Sequence, residues 1–264
     1  MEPARVTEAA ELLATARRTG KPLRELPAAC KPTNAADVNA IVDAVTARLD
    51  ETIIGWKIGF LYSPRQKPLI CPLFKSRVFD SPARVPLSLT PSRSIEPEIS
   101  FRLIRDLGPR AAAYTVEEVA AAVVACASLE IIDTRFDTQY RSIRQMLDDK
   151  MTRLEALADH NTCGAYIVGP GRADWRDFDF AELRVVMKTS TRTIVESIGG
   201  HAFRDPFLPC VVLANEMRRR EGLKTGEILV TGSFTGFFEV EADEPVTANF
   251  VGFGSAEATF ASGA

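Results

Sequence analysis

The chain has 264 residues, of which 46% are hydrophobic and 25% charged, enough for a sizeable core and unlike a disordered segment. A formal net charge of -3 and a pI near 5.6 provide no basic field for nucleic acid or anionic lipid, which points to small-molecule work. The five cysteines (Cys30, Cys71, Cys126, Cys163, Cys210) are scattered without a C-x-x-C pair, against a zinc knuckle or a disulfide framework.

The opening Met1-Glu2-Pro3 runs into an Ala/Glu/Arg pattern without an apolar leader core. No later apolar run approaches the ~18 residues of a membrane span, so no membrane association and a cytoplasmic enzyme are expected. Two helices are predicted first, over Thr7 to Arg18, stopped by Gly20, and over Ala35 to Leu49, with Asn34 as N-cap and Asp37 in the first turn. Short β-branched or alternating runs follow. Strands are expected at Ile53 to Ile58, Glu98 to Ile104, Leu129 to Ile132, Ala165 to Val168, Leu183 to Lys188 and Thr193 to Ser197. Four more are expected at Glu227 to Thr231, Phe237 to Val240, Val246 to Val251 and Ala256 to Phe260. Interspersed helices are expected at Val116 to Ala127, where Thr115 and Glu118 make a capping box, at Arg141 to Ala158, and at Pro206 to Arg220 before Gly222. Helices are too few for β-α alternation, so the fold class is α+β, with a large mixed sheet system and a helical N-terminal appendage over residues 1–52. Residues 53–264 are expected to form the catalytic unit.

Within Ser94-Ile95-Glu96-Pro97-Glu98-Ile99, Glu96 and Glu98 are two residues apart, which on a strand points both to one face. Like charges held this close are costly unless water or a cation lies between them. Alone, so short a motif reads as an exposed strand face. A third carboxylate, Glu130, lies in the apolar run Ser128-Leu129-Glu130-Ile131-Ile132, where an unpaired charge costs several kcal/mol. That addition shifts the reading to an all-oxygen trio suited to Mg or Mn.

These residues resemble the fumarylacetoacetate hydrolase superfamily, in its branch of 2-oxopent-4-enoate (2-hydroxydienoate) hydratases and 4-oxalocrotonate decarboxylases. The resemblance is carried by Gly55-Trp56-Lys57-Ile58-Gly59, Glu96-Pro97-Glu98-Ile99, Leu129-Glu130-Ile131-Ile132-Asp133-Thr134-Arg135, Ala158-Asp159-His160-Asn161-Thr162-Cys163-Gly164, the segment Leu223 to Ser233, and Gly252-Phe253-Gly254-Ser255. It implies a mixed β-sandwich roll, a Mg or Mn ion on Glu96, Glu98 and Glu130, and a homo-oligomer.

It also makes Lys57 the catalytic lysine. Its apolar neighbours set an expectation that desolvation lowers its pKa towards working pH, and the flanking glycines are expected to let the backbone approach a ligand. A lysine snorkelling from a sheet edge is the alternative. Thr162, Ser233 and Arg135 are placed by the resemblance near the substrate, although Thr162 reads equally as a turn residue bonding its own backbone. Thr231 falls near the same site. Where hydratases of the family carry an acid after the lysine strand, this chain reads Leu73-Phe74-Lys75-Ser76-Arg77-Val78-Phe79-Asp80. The acid is expected to be displaced to Asp80, and Arg77 to grip a carboxylate bidentately, a surface ion pair being its alternative. The charged stretch between Arg135 and Asp159 is expected to reshape the pocket mouth.

The only histidines are His160 and His201, so no early histidine is present to activate water as in the superfamily's C-C hydrolases. His201 reads as structural. The expected function is a metal-dependent hydratase of a 2-hydroxy-2,4-dienoate or its 2-oxo tautomer, with Lys57 moving the proton. The alternatives are decarboxylation of a 2-oxo-3-enedioate, C-C hydrolysis, or a non-catalytic oxyacid-binding homologue.

Overall fold

Two sheets packed face to face account for most buried side chains of the computed structural model, which describes residues 1–60 and 67–263. Helices α1 (Pro3–Thr19) and α2 (Ala35–Leu49) come first. Strands β1 (Ile53–Gly59), β2 (Leu69–Phe74), β3 (Val78–Asp80), β4 (Ala83–Pro86) and β5 (Ser94–Leu103) follow, then α3 (Val116–Ala120) and β6 (Val123–Ile132). Next come α4 (Ile143–Asp148), α5 (Lys150–Ala158), β7 (Cys163–Arg172), β8 (Arg184–Lys188), β9 (Thr193–Ile198) and α6 (Leu208–Met217). The chain closes with β10 (Ile228–Ser233), β11 (Phe238–Glu239), β12 (Val246–Phe250) and β13 (Gly254–Ala261).

The larger sheet runs β2-β1-β10-β5-β6-β7-β3, with β11 added on β5, and the smaller runs β4-β13-β12-β8-β9. Pairing is mixed: β1 runs parallel to β10 and β3 to β7, while β5 and β6 are antiparallel over ten residue pairs. Ile95, Ile99, Phe101, Leu129, Ile131 and Ile167 of the larger sheet share one core with Val185, Val246, Phe250 and Phe260 of the smaller. Burial removes these apolar surfaces from water at about 25 cal/mol per Å². The α+β mixed sheet system expected from the pattern is therefore what forms.

The N-terminal helices have a separate apolar cluster. Leu13, Val38, Ile41 and Val42 pack with Leu69 and Cys71 of β2 and with Leu154 and Leu157 of α5. Asn34 caps α2 by accepting the Asp37 N–H at 3.0 Å, and Gly20 ends α1 at φ 66°, both as expected.

Elsewhere the elements differ from expectation. The capping box at Thr115 and Glu118 forms, but α3 stops at Ala120 and Val123 to Ala127 belong to β6. That Val/Ala run is buried on both faces between β5 and β7, where periodicity cannot separate strand from helix. The single helix expected over Arg141 to Ala158 is two, because the Asp149 side chain accepts the N–H groups of Met151 and Thr152 and starts α5 afresh. The short strands β2, β3 and β4 lacked the alternation that signals a half-buried strand; β2 is buried along its whole length.

Gly55 is required by packing. A Cβ there would lie 2.4 Å from the Ile228 carbonyl oxygen, so only glycine lets β1 approach β10. The close approach expected of this glycine is thus to a neighbouring strand rather than to a ligand.

A candidate metal centre on the central strands

Glu96 and Glu130 stand directly opposite each other on β5 and β6, and Glu98 stands opposite Ser128 one pair along the same face. Facing side chains in such a ladder have Cβ atoms about 5 Å apart, so strand register alone concentrates three carboxylates. One oxygen from each of Glu96, Glu98 and Glu130 lies within 4.8 Å of the others. All three are buried, Glu98 and Glu130 completely.

Lys57 reaches this group from β1. Its Nζ donates to both oxygens of Glu130 at 2.5 Å and lies 3.5 Å from the Asn161 carbonyl oxygen. Tyr166, opposite Glu130 on β7, donates its hydroxyl to Glu98 Oε2 at 3.0 Å. The other Glu98 oxygen, Oε1, is buried without a partner.

The electrostatics follow from that crowding. Burial, then the charge of Glu130, pushes the Glu96 carboxyl up to about 7, with Lys57 and the Ser233 hydroxyl holding it back. Burial, then Glu130 and Glu96, raises the Glu98 carboxyl well above the carboxylate range. For Lys57, burial pulls the pKa down, but Glu130 and then Glu98 outweigh it and the net displacement is upward. This corrects the expectation that desolvation brings the lysine towards neutrality: the partner carboxylate dominates, and Lys57 rests as an ammonium.

Were all three carboxyls ionised, one ammonium would leave excess buried negative charge, which is why Glu96 and Glu98 are pushed up, and the orphaned Glu98 oxygen points to the same deficit of positive partners. The donors fit a hard divalent cation such as Mg or Mn, which takes oxygen ligands and leaves positions for a substrate.

A cavity of about 780 Å³ opens onto this face, with Lys57, Glu96, Glu98, Asn161, Thr162, Thr231 and Gly232 on its wall. Phe60, Leu69, Leu157 and Phe203 give it apolar sides. Thr162 lines the cavity, and its hydroxyl donates to the Asn161 carbonyl at 2.7 Å, the local turn contact that is the alternative reading of this residue. Ser233, paired with Glu98 in the ladder, accepts the N–H groups of Thr235 and Gly236 beside the carboxylates. The Thr231 hydroxyl is buried and without a partner.

Three residues expected here lie elsewhere. Asp80 is 95% exposed and 3.8 Å from Arg102, because β3 is the last strand of the sheet and turns that side chain to water. Arg77 donates to the Leu89 carbonyl oxygen at 2.8 Å and lines a different, smaller cavity. Arg135 is buried against Asp159, donating from Nε to Oδ1 at 2.6 Å and from its backbone N–H to Oδ2 at 2.7 Å. It anchors the turn His160-Asn161-Thr162, whose three residues all have positive φ, at 48°, 51° and 56°.

Neither histidine reaches the cavity floor as a base. His160 is buried with Nε2 3.3 Å from the Thr46 hydroxyl, which itself donates to Val42. His201 donates from Nε2 to the Thr231 carbonyl and accepts the Phe203 N–H at Nδ1, the structural use expected of it. Sequence reasoning missed Tyr166, whose only signal was its place in a short strand pattern, and Arg153, which the cavity wall includes. No helix among the described residues is long and apolar enough to cross a membrane.

No family model matches the chain. Among characterised proteins, it is 26% identical to the 2-keto-4-pentenoate hydratase of Paraburkholderia xenovorans (strain LB400), over 99% of this chain and 97% of the relative. It is 27% identical to the 2-hydroxyhexa-2,4-dienoate hydratase of Comamonas testosteroni, over 80% and 79% of the two chains. Its fold superposes on that of 4-oxalocrotonate decarboxylase from Pseudomonas putida G7, complexed with magnesium and adipate, with a TM-score of 0.78, 21% identity and 98% of each chain covered. Along nearly its whole length the chain is thus similar to 2-keto-4-pentenoate hydratases, and it shares the mixed two-sheet fold of the decarboxylase, with the carboxylate trio on facing strands.

Proposed function

We propose that the protein is a divalent-cation-dependent lyase that hydrates a 2-hydroxy-2,4-dienoate through its 2-oxo-enoate tautomer. The observation that carries this reading is the buried trio Glu96, Glu98 and Glu130, joined by Lys57 at the head of a cavity of about 780 Å³. Glu96, Glu98 and Glu130 would hold Mg or Mn, which supplies Lewis-acid stabilisation of the negative charge that develops on a 2-oxo acid.

The chain's own groups supply the rest. Lys57 rests protonated against Glu130 and is placed to deliver a proton to the dienol chain, taking one back in the reverse sense. Tyr166 fixes the Glu98 carboxylate through its hydroxyl. Asn161 and Thr162, held in a left-handed turn, close the cavity beside Lys57, and the aromatic side chains of Phe60 and Phe203 restrict water to the polar end. Ser233 and Thr231 offer hydroxyls near the carboxylates for substrate oxygen or water.

The relatives act as named on 2-keto-4-pentenoate and 2-hydroxyhexa-2,4-dienoate, which supports the dienoate class. Decarboxylation of a 2-oxo-3-enedioate is the second reading, favoured by a cavity larger than a five-carbon acid requires. A C-C hydrolase loses support because both histidines are engaged in structural hydrogen bonds. The free state of all five cysteines fits a reducing cytoplasm, and assembly as a homo-oligomer completes the proposal.

The test is an ultraviolet assay with Mg or Mn that offers 2-hydroxypenta-2,4-dienoate and 4-oxalocrotonate in parallel. Loss of dienoate absorbance without carbon dioxide supports hydration, and carbon dioxide release selects the second reading. Turnover of neither substrate refutes both.

A further inference from the structure

The charged stretch between Arg135 and Asp159 builds one wall of the cavity with Leu147, Asp148, Arg153 and Leu157, from α4 and α5. Arg153 is the feature there without an explanation. Its Nε is buried and has no hydrogen-bond partner, and its guanidinium makes no ion pair among the described residues. Among the described residues Lys57 is the other cationic side chain on the wall, and it is committed to Glu130.

A desolvated guanidinium N–H without an acceptor is unfavourable, and a carboxylate removes that cost by taking two parallel N–H donors. Asp148 shares the wall but is exposed, where water solvates its charge and weakens any attraction to Arg153. The same cavity also has apolar lining from Phe60, Leu157 and Phe203. A ligand matching this pattern carries an anionic group at each end of a short hydrocarbon chain. The volume of about 780 Å³ accommodates one longer than a five-carbon acid.

We propose that Arg153 is a specificity-determining residue that binds a second, distal carboxylate, making the preferred substrate a 2-hydroxydienoate or 2-oxo-enoate dicarboxylic acid rather than a monoacid. This rests on the reading that the C1 carboxylate and C2 oxygen face Glu96, Glu98 and Glu130. Arg153 takes the role expected of Arg77, which the fold places in another cavity.

The experiment pairs binding with turnover on Mg-supplemented protein. Calorimetry compares adipate with hexanoate, six-carbon probes that differ in the distal carboxylate, on wild type, Arg153→Gln and Arg153→Lys. The wild type should bind adipate more tightly by about 10- to 100-fold, and Arg153→Gln should abolish the difference. Arg153→Lys, which keeps the charge without the fork, should fall between. In turnover, the ratio of kcat/KM for a dicarboxylic over a monocarboxylic dienoate should fall by a similar factor in Arg153→Gln, mainly through KM.

Equal binding of the two probes by wild type, or a preference that survives Arg153→Gln, overturns the inference while leaving dienoate turnover intact. Arg153-dependent adipate binding without turnover of any dienoate leaves the inference standing and overturns the proposed reaction.

Discussion

Lys57 Nζ lies 2.5 Å from both carboxylate oxygens of Glu130, in a pair from which water is almost wholly excluded. The two residues come from strands separated by β10 and β5, so the contact exists only once the central sheet is assembled. Lys57→Met removes the proton carrier and leaves Glu130 buried without its cation. Turnover of the dienoate should fall by about 10²- to 10⁴-fold, the range for loss of a positioned acid-base group. In metal-free protein the same change should cost about 3–5 kcal/mol in urea unfolding. Turnover within threefold of wild type contradicts the role given to Lys57.

Arg135 belongs to the scaffold. Its guanidinium and backbone N–H both bind the Asp159 carboxylate, and Nη2 donates to the Asp159 carbonyl at 3.0 Å, just before three successive left-handed residues. Arg135→Met strands a buried aspartate and should destabilise the protein by about 3–5 kcal/mol. Arg135→Lys should recover little of this, since an ammonium cannot reproduce the fork. Chemical denaturation measures both variants, and an unchanged midpoint in Arg135→Met removes Arg135 as the anchor of the turn.

His160 gives the fold an acid-sensitive element. Burial, then Arg17 and Arg135, holds its pKa well below the ordinary histidine value. Below about pH 6.5 the unfolded chain takes up a proton that the native ring refuses, so this residue's contribution to stability declines as pH falls, by at most about 1.4 kcal/mol per pH unit. The raised carboxyls of Glu96, Glu98, Asp133 and Glu155 act in the opposite sense and remain in both proteins compared. His160→Asn, chosen because asparagine tolerates the positive φ, should therefore show a shallower loss of stability than wild type between pH 6.5 and 5. Parallel curves refute the assignment.

The carboxylate trio was legible in the sequence because a two-residue spacing on a strand and a charge in an apolar run are local signals. Their meeting was not local; it depends on the register that sets Glu96 opposite Glu130. The direction of the Lys57 displacement was misread for the same reason, since the desolvating neighbours are adjacent in sequence and the dominant carboxylate is 73 residues away. Asp80 and Arg77 were expected at the site from their order after the lysine strand, but the edge position of β3 carries Asp80 out to solvent. Arg153 was hidden within a charged helical stretch, and only packing of α5 against the cavity distinguishes it. The helix expected through Val123 to Ala127 failed because small apolar residues buried on both faces suit either structure.

The central claim is that Glu96, Glu98 and Glu130 hold one divalent cation, and manganese titration followed by electron paramagnetic resonance tests it most directly. Chelator-stripped wild type should bind one Mn²⁺ per chain. Glu98→Gln, which replaces the carboxylate bearing the unpartnered buried oxygen, should bind at least about tenfold more weakly. No binding by wild type, or equal affinity in Glu98→Gln, contradicts the account.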